Sequence, residues 1–430
     1  MNQTIAAYAD WEGLEFPAKL GILHVRRSNQ REIFEFEYDP SALTAPWMRN
    51  IQLDPALSPY SGPQYPQQGQ DAFGLFADSS PDHWGRLLMK RRLDREKRSG
   101  LADSNDRLYE SDFLLGVHDL FRVGALRLRV DDTGAFLDDN HGQAAPPLVM
   151  LRALEQASRA LETDESNTAP LVDDWLRMLL APGGSLGGAR PKATVVDPDG
   201  QFWIAKFPSA RDGYDVGAWE SVVHALAQAC GIRVPEAQHG RYASREHTFL
   251  IKRFDRTPAG KRIHFASAMT LTGHTDGDDA STGVSYLEIA ETLMSQGAQP
   301  NADVKELWTR IVFNMLISNT DDHLRNHGFL LVPGKGWKLS DAYDMNPMSY
   351  GTGLKLNVSE HDNALDLDLA RSVCRYFRLS LAQANEIIDD CRDVVSQWRN
   401  VAGAIGLGQQ EQSEMAAAFR LAENGHGDRK

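Results

Sequence analysis

The 430-residue chain is 42% hydrophobic and 24% charged, an ordinary balance for a globular protein, and its length exceeds one compact core, so two or three subdomains are expected. A formal net charge of -14 argues against a chain that wraps nucleic acid unaided, because neutralising phosphates needs a local surplus of Lys and Arg. The three cysteines, Cys230, Cys374 and Cys391, are far apart and lack any CxxC or His pairing, which disfavours a disulfide framework and a zinc site. The N-terminus has no basic start followed by an apolar core, and no run approaches the ~18 apolar residues of a membrane span. A cytoplasmic protein is expected.

Alternation predicts strands from Lys19 to Val25 and from Glu32 to Tyr38, the second stopped by Asp39-Pro40, within a β-rich N-terminal domain over 1–130. Residues 58–70, rich in Pro, Gly, Gln and Tyr, read as loop. Pro81 to Arg98 reads as a helix whose apolar Trp84, Leu87, Leu88 and Met89 give way to Lys90, Arg91, Arg92, Arg95, Lys97 and Arg98. This basic run is either a solvated face or a contact for nucleic acid or an acidic partner. Residues 131–147, with two Asp-Asp pairs and a closing Pro-Pro, have a linker's composition and mark the first boundary.

A second domain, 131–255, opens with two helices whose stripes are Leu148, Leu151, Leu154, Leu161 and Leu171, Trp175, Leu176, Leu179. Four glycines in the six positions from Gly183 to Gly188 then forbid regular structure. Lys192 to Val196 and Gln201 to Phe207 flank Asp197-Pro-Asp-Gly200 and predict a hairpin, with Phe202, Ile204 and Lys206 on one face. A helix follows from Val216 to Cys230, stopped by Gly231 and Pro235, and Thr248 to Arg253 is a strand candidate. The third domain, 256–430, is largely helical: Val304, Leu307, Ile311 and Met315 form a stripe leading into Asn319, and another helix covers Leu379 to Val401.

The chemistry concentrates between Asn319 and Asp344. Asp321 and Asn326 are separated by four residues, as are the base and the metal-binding amide of a kinase catalytic loop, and Asp344 follows where a metal-binding acid is expected. Asx residues also cluster in plain turns, so the spacing needs the rest of the machinery. Backbone amides of the glycine loop can approach phosphate, although the loop is neither G-x-x-x-x-G-K-[ST] nor G-x-G-x-x-G. Lys206 resembles a kinase strand lysine, or is an edge lysine with its head in solvent. Glu220 could pair with Lys206 or sit on a helix surface. His323 orients the loop or fills space, and Asp322 and Asp341 are read as solvated or supporting residues. The order along the chain joins these parts: glycine loop, strand lysine, helix glutamate, linking strand, base and amide, acid.

Together, Ser185-Leu-Gly-Gly-Ala-Arg-Pro-Lys192, Ile-Ala-Lys206-Phe-Pro, Lys252-Arg-Phe-Asp-Arg256, Asn319-Thr-Asp-Asp-His-Leu-Arg-Asn326 and Ala-Tyr-Asp344 resemble the HipA family of bacterial serine/threonine kinases, the toxin half of toxin-antitoxin pairs. The resemblance covers most of the chain. It implies an α+β, two-lobed kinase-like fold related to phosphatidylinositol kinases, with a small β-rich N-terminal subdomain and a mainly helical C-terminal lobe. ATP and Mg²⁺ would be the cofactors. Ser185 would be the autophosphorylated serine. Ser185, Gly187, Gly188, Ala189, Lys192, Lys206 and Glu220 would serve the nucleotide, and Lys252, Arg253 and Phe254 would line the adenine hinge. Asp321 would be the base, with Lys206 and His323 assisting, and Asn326 and Asp344 would hold Mg²⁺. Arg190-Pro191 departs from the Gln-Glu that many members carry. The family's partner is a HipB-like DNA-binding antitoxin, operator DNA is reached mainly through it, and known targets include aminoacyl-tRNA synthetases. Two other functions compete: a small-molecule phosphotransferase, and a non-catalytic kinase-shaped co-repressor that binds an antitoxin and DNA.

Overall fold

A computed structural model describes residues 2–28, 31–130, 134–137, 145–164, 167, 171–180, 188 and 190–423. The chain divides into two compact units, one of residues 1–212 and 241–266, the other of 213–240 and 267–430. No described helix is long and apolar enough to cross a membrane.

The first unit begins with four antiparallel strands, β1 (Asn2–Ala9), β2 (Ala18–Ser28), β3 (Arg31–Tyr38) and β4 (Leu126–Arg129), in the order β3-β2-β1-β4. Ile5, Leu23 and Phe36 lie in one cross-strand row and are fully buried, which is the alternation predicted for β2 and β3. Strand β1 was hidden in the sequence because Ile5, Ala6 and Ala7 are buried in succession, which erases the period of two.

The His83–Arg98 helix starts at Asp82, whose Oδ1 accepts from Gly85 N at 2.9 Å. Its basic side chains turn to the unit's own elements: Arg86 forms a fork on Glu110, Arg91 donates to Asp164 O, Arg98 donates to Asn167 O, and Arg95 pairs with Asp173 at 2.6 Å. The run that the sequence offered as a partner contact is largely engaged within its own unit.

Helices Leu151–Thr163 and Val172–Leu180 cover a sheet formed by β5 (Lys192–Val196), β6 (Phe202–Lys206) and the Thr248–Lys252 strand. Trp203, Ala205 and Phe207 join Ala193, Val195, Leu250, Leu154 and Leu176 in one core, so Ile204 and Lys206 fall on the other face, as alternation requires. The predicted turn is present: Gly200 has φ +78°, and Asp197 accepts from the Asp199 and Gln201 amides and from Trp203 Nε1. Buried Glu155 accepts from Ser244 N, Ser244 Oγ and Thr248 Oγ1, which fastens the third strand to the first helix.

In the second unit the Val216–Ala229 helix is followed by Gly231 at φ +77°, the expected left-handed stop. The Pro300–Leu316 helix is its axis, with Val304, Leu307, Trp308, Ile311 and Met315 buried. The single helix expected over Leu379 to Val401 is two, Leu381–Val395 and Trp398–Ile405. Trp398 lies just past the break, fully buried and stacked on Phe419 at 4.4 Å. An antiparallel hairpin, Gly328–Val332 with Gly336–Leu339, carries the chain from Asn326 towards Asp344.

Candidate active site

The loop from Ser318 to His327 begins where the Pro300–Leu316 helix ends. Ser318 holds φ +51°, is fully buried, and donates Oγ to Ala418 O at 2.7 Å, while Arg420 reaches both Ser318 Oγ and Gly351 O. Asn319 bonds back to Asn314 through its backbone N–H at 2.8 Å and its side chain at 3.1 Å. The chain therefore leaves the helix along a fixed path.

On this path Asp321 and Asp322 point to opposite environments. Asp321 is exposed, whereas Asp322 is 3% exposed. One oxygen of Asp322, Oδ2, accepts from Tyr286 Oη at 2.6 Å, Asn314 Nδ2 at 2.8 Å and His327 Nε2 at 2.9 Å. Burial alone would push this carboxyl up; the His327 and Tyr286 contacts outweigh it and hold Asp322 below the ordinary carboxylate range. Of the two readings left open for Asp322, solvated or supporting, the structure gives the second: it is the buried anchor of the loop.

The Asp321 carbonyl accepts from His323 N at 2.9 Å and from Asn326 Nδ2 at 3.2 Å. That second bond fixes which way the amide faces, and Asn326 Oδ1 is left buried without a hydrogen-bond partner. His323 Nδ1 and Asn346 Oδ1 share that condition. A buried carbonyl oxygen without a partner is costly, and a cation or a held water removes the cost. Asp344 takes φ +57°, a left-handed conformation unusual for a residue with a Cβ. Beside it, Tyr343 Oη donates to Arg325 O at 2.7 Å, tying the acid's segment to the Asp321 loop. An amide oxygen and a carboxylate are the donors that a hard divalent cation prefers, so this set fits Mg²⁺.

In the first unit, Lys206 is half-buried at the end of β6, directly across the ladder from Lys192. Lys192 is 1% exposed; its ammonium lies 2.8 Å from Asp82 and 3.3 Å from Gly188 O. Arg253 is equally enclosed. It forms a fork on Asp255, donates to the Phe121 and Arg122 carbonyls, and uses its backbone N–H on Phe202 O. Burial would raise Asp255, but Arg253 and Arg256 hold it far below the carboxylate range. Lys192 and Arg253, expected among the nucleotide contacts, are both buried and paired within their own unit. Lys252 lies 5.8 Å from the Trp203 ring, and half-buried Phe254 lies against Phe265. Glu220 is buried in the second unit's Val216–Ala229 helix. Ser185, Gly187 and Ala189 lie outside the described residues.

Sequence reasoning missed Tyr286, Asn314 and His327. Asn314 was visible as an amide inside an apolar helical stripe, a position that demands a polar partner. Tyr286 and Ser318 gave no signal of their own.

The family model for the HipA-like C-terminal domain matches residues 184–398, half of the chain. The chain belongs to the HipA family. Two bacterial relatives, both named "putative kinase", agree: one from Haemophilus influenzae is 28% identical over 39% of this chain and 53% of its own, and Y4dM from Sinorhizobium fredii is 29% identical over 47% of this chain and 52% of its own. The chain thus spans about half the length of these curated relatives. Among solved structures, HipA of Shewanella oneidensis, determined with HipB and its operator DNA, matches with a TM-score of 0.65 and 16% identity over 97% of both chains. That likeness establishes the α+β, kinase-like HipA fold for this chain.

Proposed function

We propose that this HipA-family member is a Mg-ATP-dependent serine/threonine protein kinase that also phosphorylates itself on Ser185. The observation that carries the reading is the Asp321 loop, which presents an exposed carboxylate and, five residues on, a buried amide oxygen with no partner. Asp321 takes the proton of the attacking hydroxyl. Lys206 meets the ATP phosphates; Gly187, Gly188, Ala189 and Glu220 are further nucleotide residues; Lys252 and Phe254 line the adenine side; and His323 steadies the loop. Asn326 and Asp344 hold Mg²⁺, which supplies charge neutralisation at the transferring phosphoryl group. A HipB-like antitoxin is the proposed partner, with operator DNA reached through it, as the -14 charge of this chain favours. A cytoplasmic protein, such as an aminoacyl-tRNA synthetase, is the proposed acceptor.

Purified protein incubated with ATP and Mg²⁺ should gain one phosphate, mapping to Ser185, and Asp321→Ala should gain none. Equal labelling of the Asp321→Ala protein overturns this reading. Transfer to a small-molecule acceptor without any Ser185 phosphate makes the chain a small-molecule phosphotransferase instead.

A further inference from the structure

Asp322 takes no part in the chemistry just described, yet it is the most heavily bonded side chain of the loop. Its three donors come from three places: Tyr286 at the start of the Tyr286–Gln296 helix, Asn314 in the last turn of the Pro300–Leu316 helix, and His327 at the far end of the loop. All three meet at Oδ2. Asn314 is in turn bonded by Asn319, the second residue of the loop, so the network grips both ends of the segment that carries Asp321 and Asn326. Such convergence is expensive to bury and rigid once satisfied. It also holds the backbone on the far side of Asp322 from the exposed Asp321 carboxylate.

We propose that Asp322 is the positioning residue of the transfer site: one carboxylate oxygen, shared by two helices and His327, fixes the loop geometry on which Asp321 and Asn326 depend. This rests on the kinase reading above for its kinetic consequence, while its structural consequence stands apart. A loop displaced by about 1 Å loses on the order of 10²-fold in transfer rate, because the reacting groups no longer meet in line. Nucleotide affinity is set mainly by other residues.

The decisive comparison is Asp322→Ala against Asp322→Asn, since Asn can place its Oδ1 where the three donors converge and so keeps the bonds while removing the charge. Asp322→Ala should lose roughly 10²-fold in kcat with KM for Mg-ATP changed less than about threefold, and Asp322→Asn should recover most of that loss. Tyr286→Phe removes one bond and gives a readable variant should Asp322→Ala fail to fold; a several-fold fall in kcat at constant KM is expected. Unchanged kcat in Asp322→Ala, or in Tyr286→Phe if the alanine variant does not fold, overturns the proposal. So does an Asn variant as slow as Ala. If wild-type protein transfers no phosphate, the kinase reading has failed, and the proposal is judged by hydrogen exchange alone. Protection of the 319–327 amides lost in the variant, with the rest of the unit unchanged, supports it; protection retained overturns it.

Discussion

In the first unit Lys192 and Arg253 are buried with their charges met by Asp82 at 2.8 Å and Asp255 at 2.7 Å, whereas in the second unit the loop keeps Asp321 exposed and leaves Asn326 Oδ1 unmet. Both regions contain the residue types of a phosphate site. The difference lies in what each group still has to do. A buried lysine with a carboxylate 2.8 Å away holds strands to a helix cap, while an amide oxygen held in place and left without a partner keeps one acceptor open to a cation or a water.

The largest expected effect tests the second unit. Asp321→Ala should reduce phosphoryl transfer by roughly 10²–10⁴-fold, the usual scale for a lost general base, while the midpoint of urea unfolding stays in place because the side chain is exposed. Asn326→Ala should also lower the rate and should raise the Mg²⁺ concentration needed for half-maximal activity. A midpoint that moves with the rate in Asp321→Ala breaks the contrast drawn above.

The first unit should respond the other way round. Asp82→Ala strands the Lys192 charge and removes the helix cap, and breaking a buried pair typically costs about 3–5 kcal/mol in unfolding free energy. Replacing both partners, Asp82→Leu with Lys192→Met, should restore part of that stability, since no charge is then left buried alone. If Lys192 instead served the nucleotide, Lys192→Met with Asp82→Leu would weaken ATP binding sharply, and calorimetric ATP titration reads that Kd directly.

A smaller effect comes from pH. Burial pulls His264, stacked on Trp11, down to about 3 from its ordinary 6.5. The folded protein then keeps this ring neutral while the unfolded chain protonates it. Stability contributed here is complete above about pH 6.5 and falls as pH drops through the window towards 3, by at most ~1.4 kcal/mol per pH unit. Asp322 is also lowered, so its contribution is present above the ordinary carboxylate range and is lost only below it. Amide exchange followed from pH 7 to pH 4.5 should therefore show protection around His264 weakening before that of the 319–327 loop.

These contrasts also mark what the sequence could disclose. The hairpin of β5 and β6 was legible because Asp197-Pro-Asp-Gly200 dictates a turn and alternation then assigns the faces. The Asp321 loop stood out because its spacing repeats a known chemical need. Strand β1 was not, since its run of buried small residues carries no period. The roles of Lys192 and Arg253 were not legible either: their partners Asp82 and Asp255 include one more than a hundred residues away, and a lysine near a glycine loop reads the same whether its charge is met or waiting. The choice between a solvated and a supporting Asp322 stayed open for the same reason, because adjacent acids look alike in a sequence and face opposite ways in the loop.

The smallest effect sharpens the comparison most cleanly. Arg95 and Asp173 approach to 2.6 Å with two parallel hydrogen bonds, closer than Lys192 and Asp82. Distance alone would rank this pair first. Asp173 is 57% exposed, however, so water already solvates both partners and the ion pair exchanges one favourable environment for another. Arg95→Ala should leave the unfolding midpoint unchanged within error and leave phosphoryl transfer untouched, in 150 mM salt where screening reaches about 8 Å. A clear loss of stability from Arg95→Ala, comparable to that from Asp82→Ala, would mean that geometry rather than burial sets the strength of ion pairs in this unit, and the distinction between its two kinds of cation would collapse.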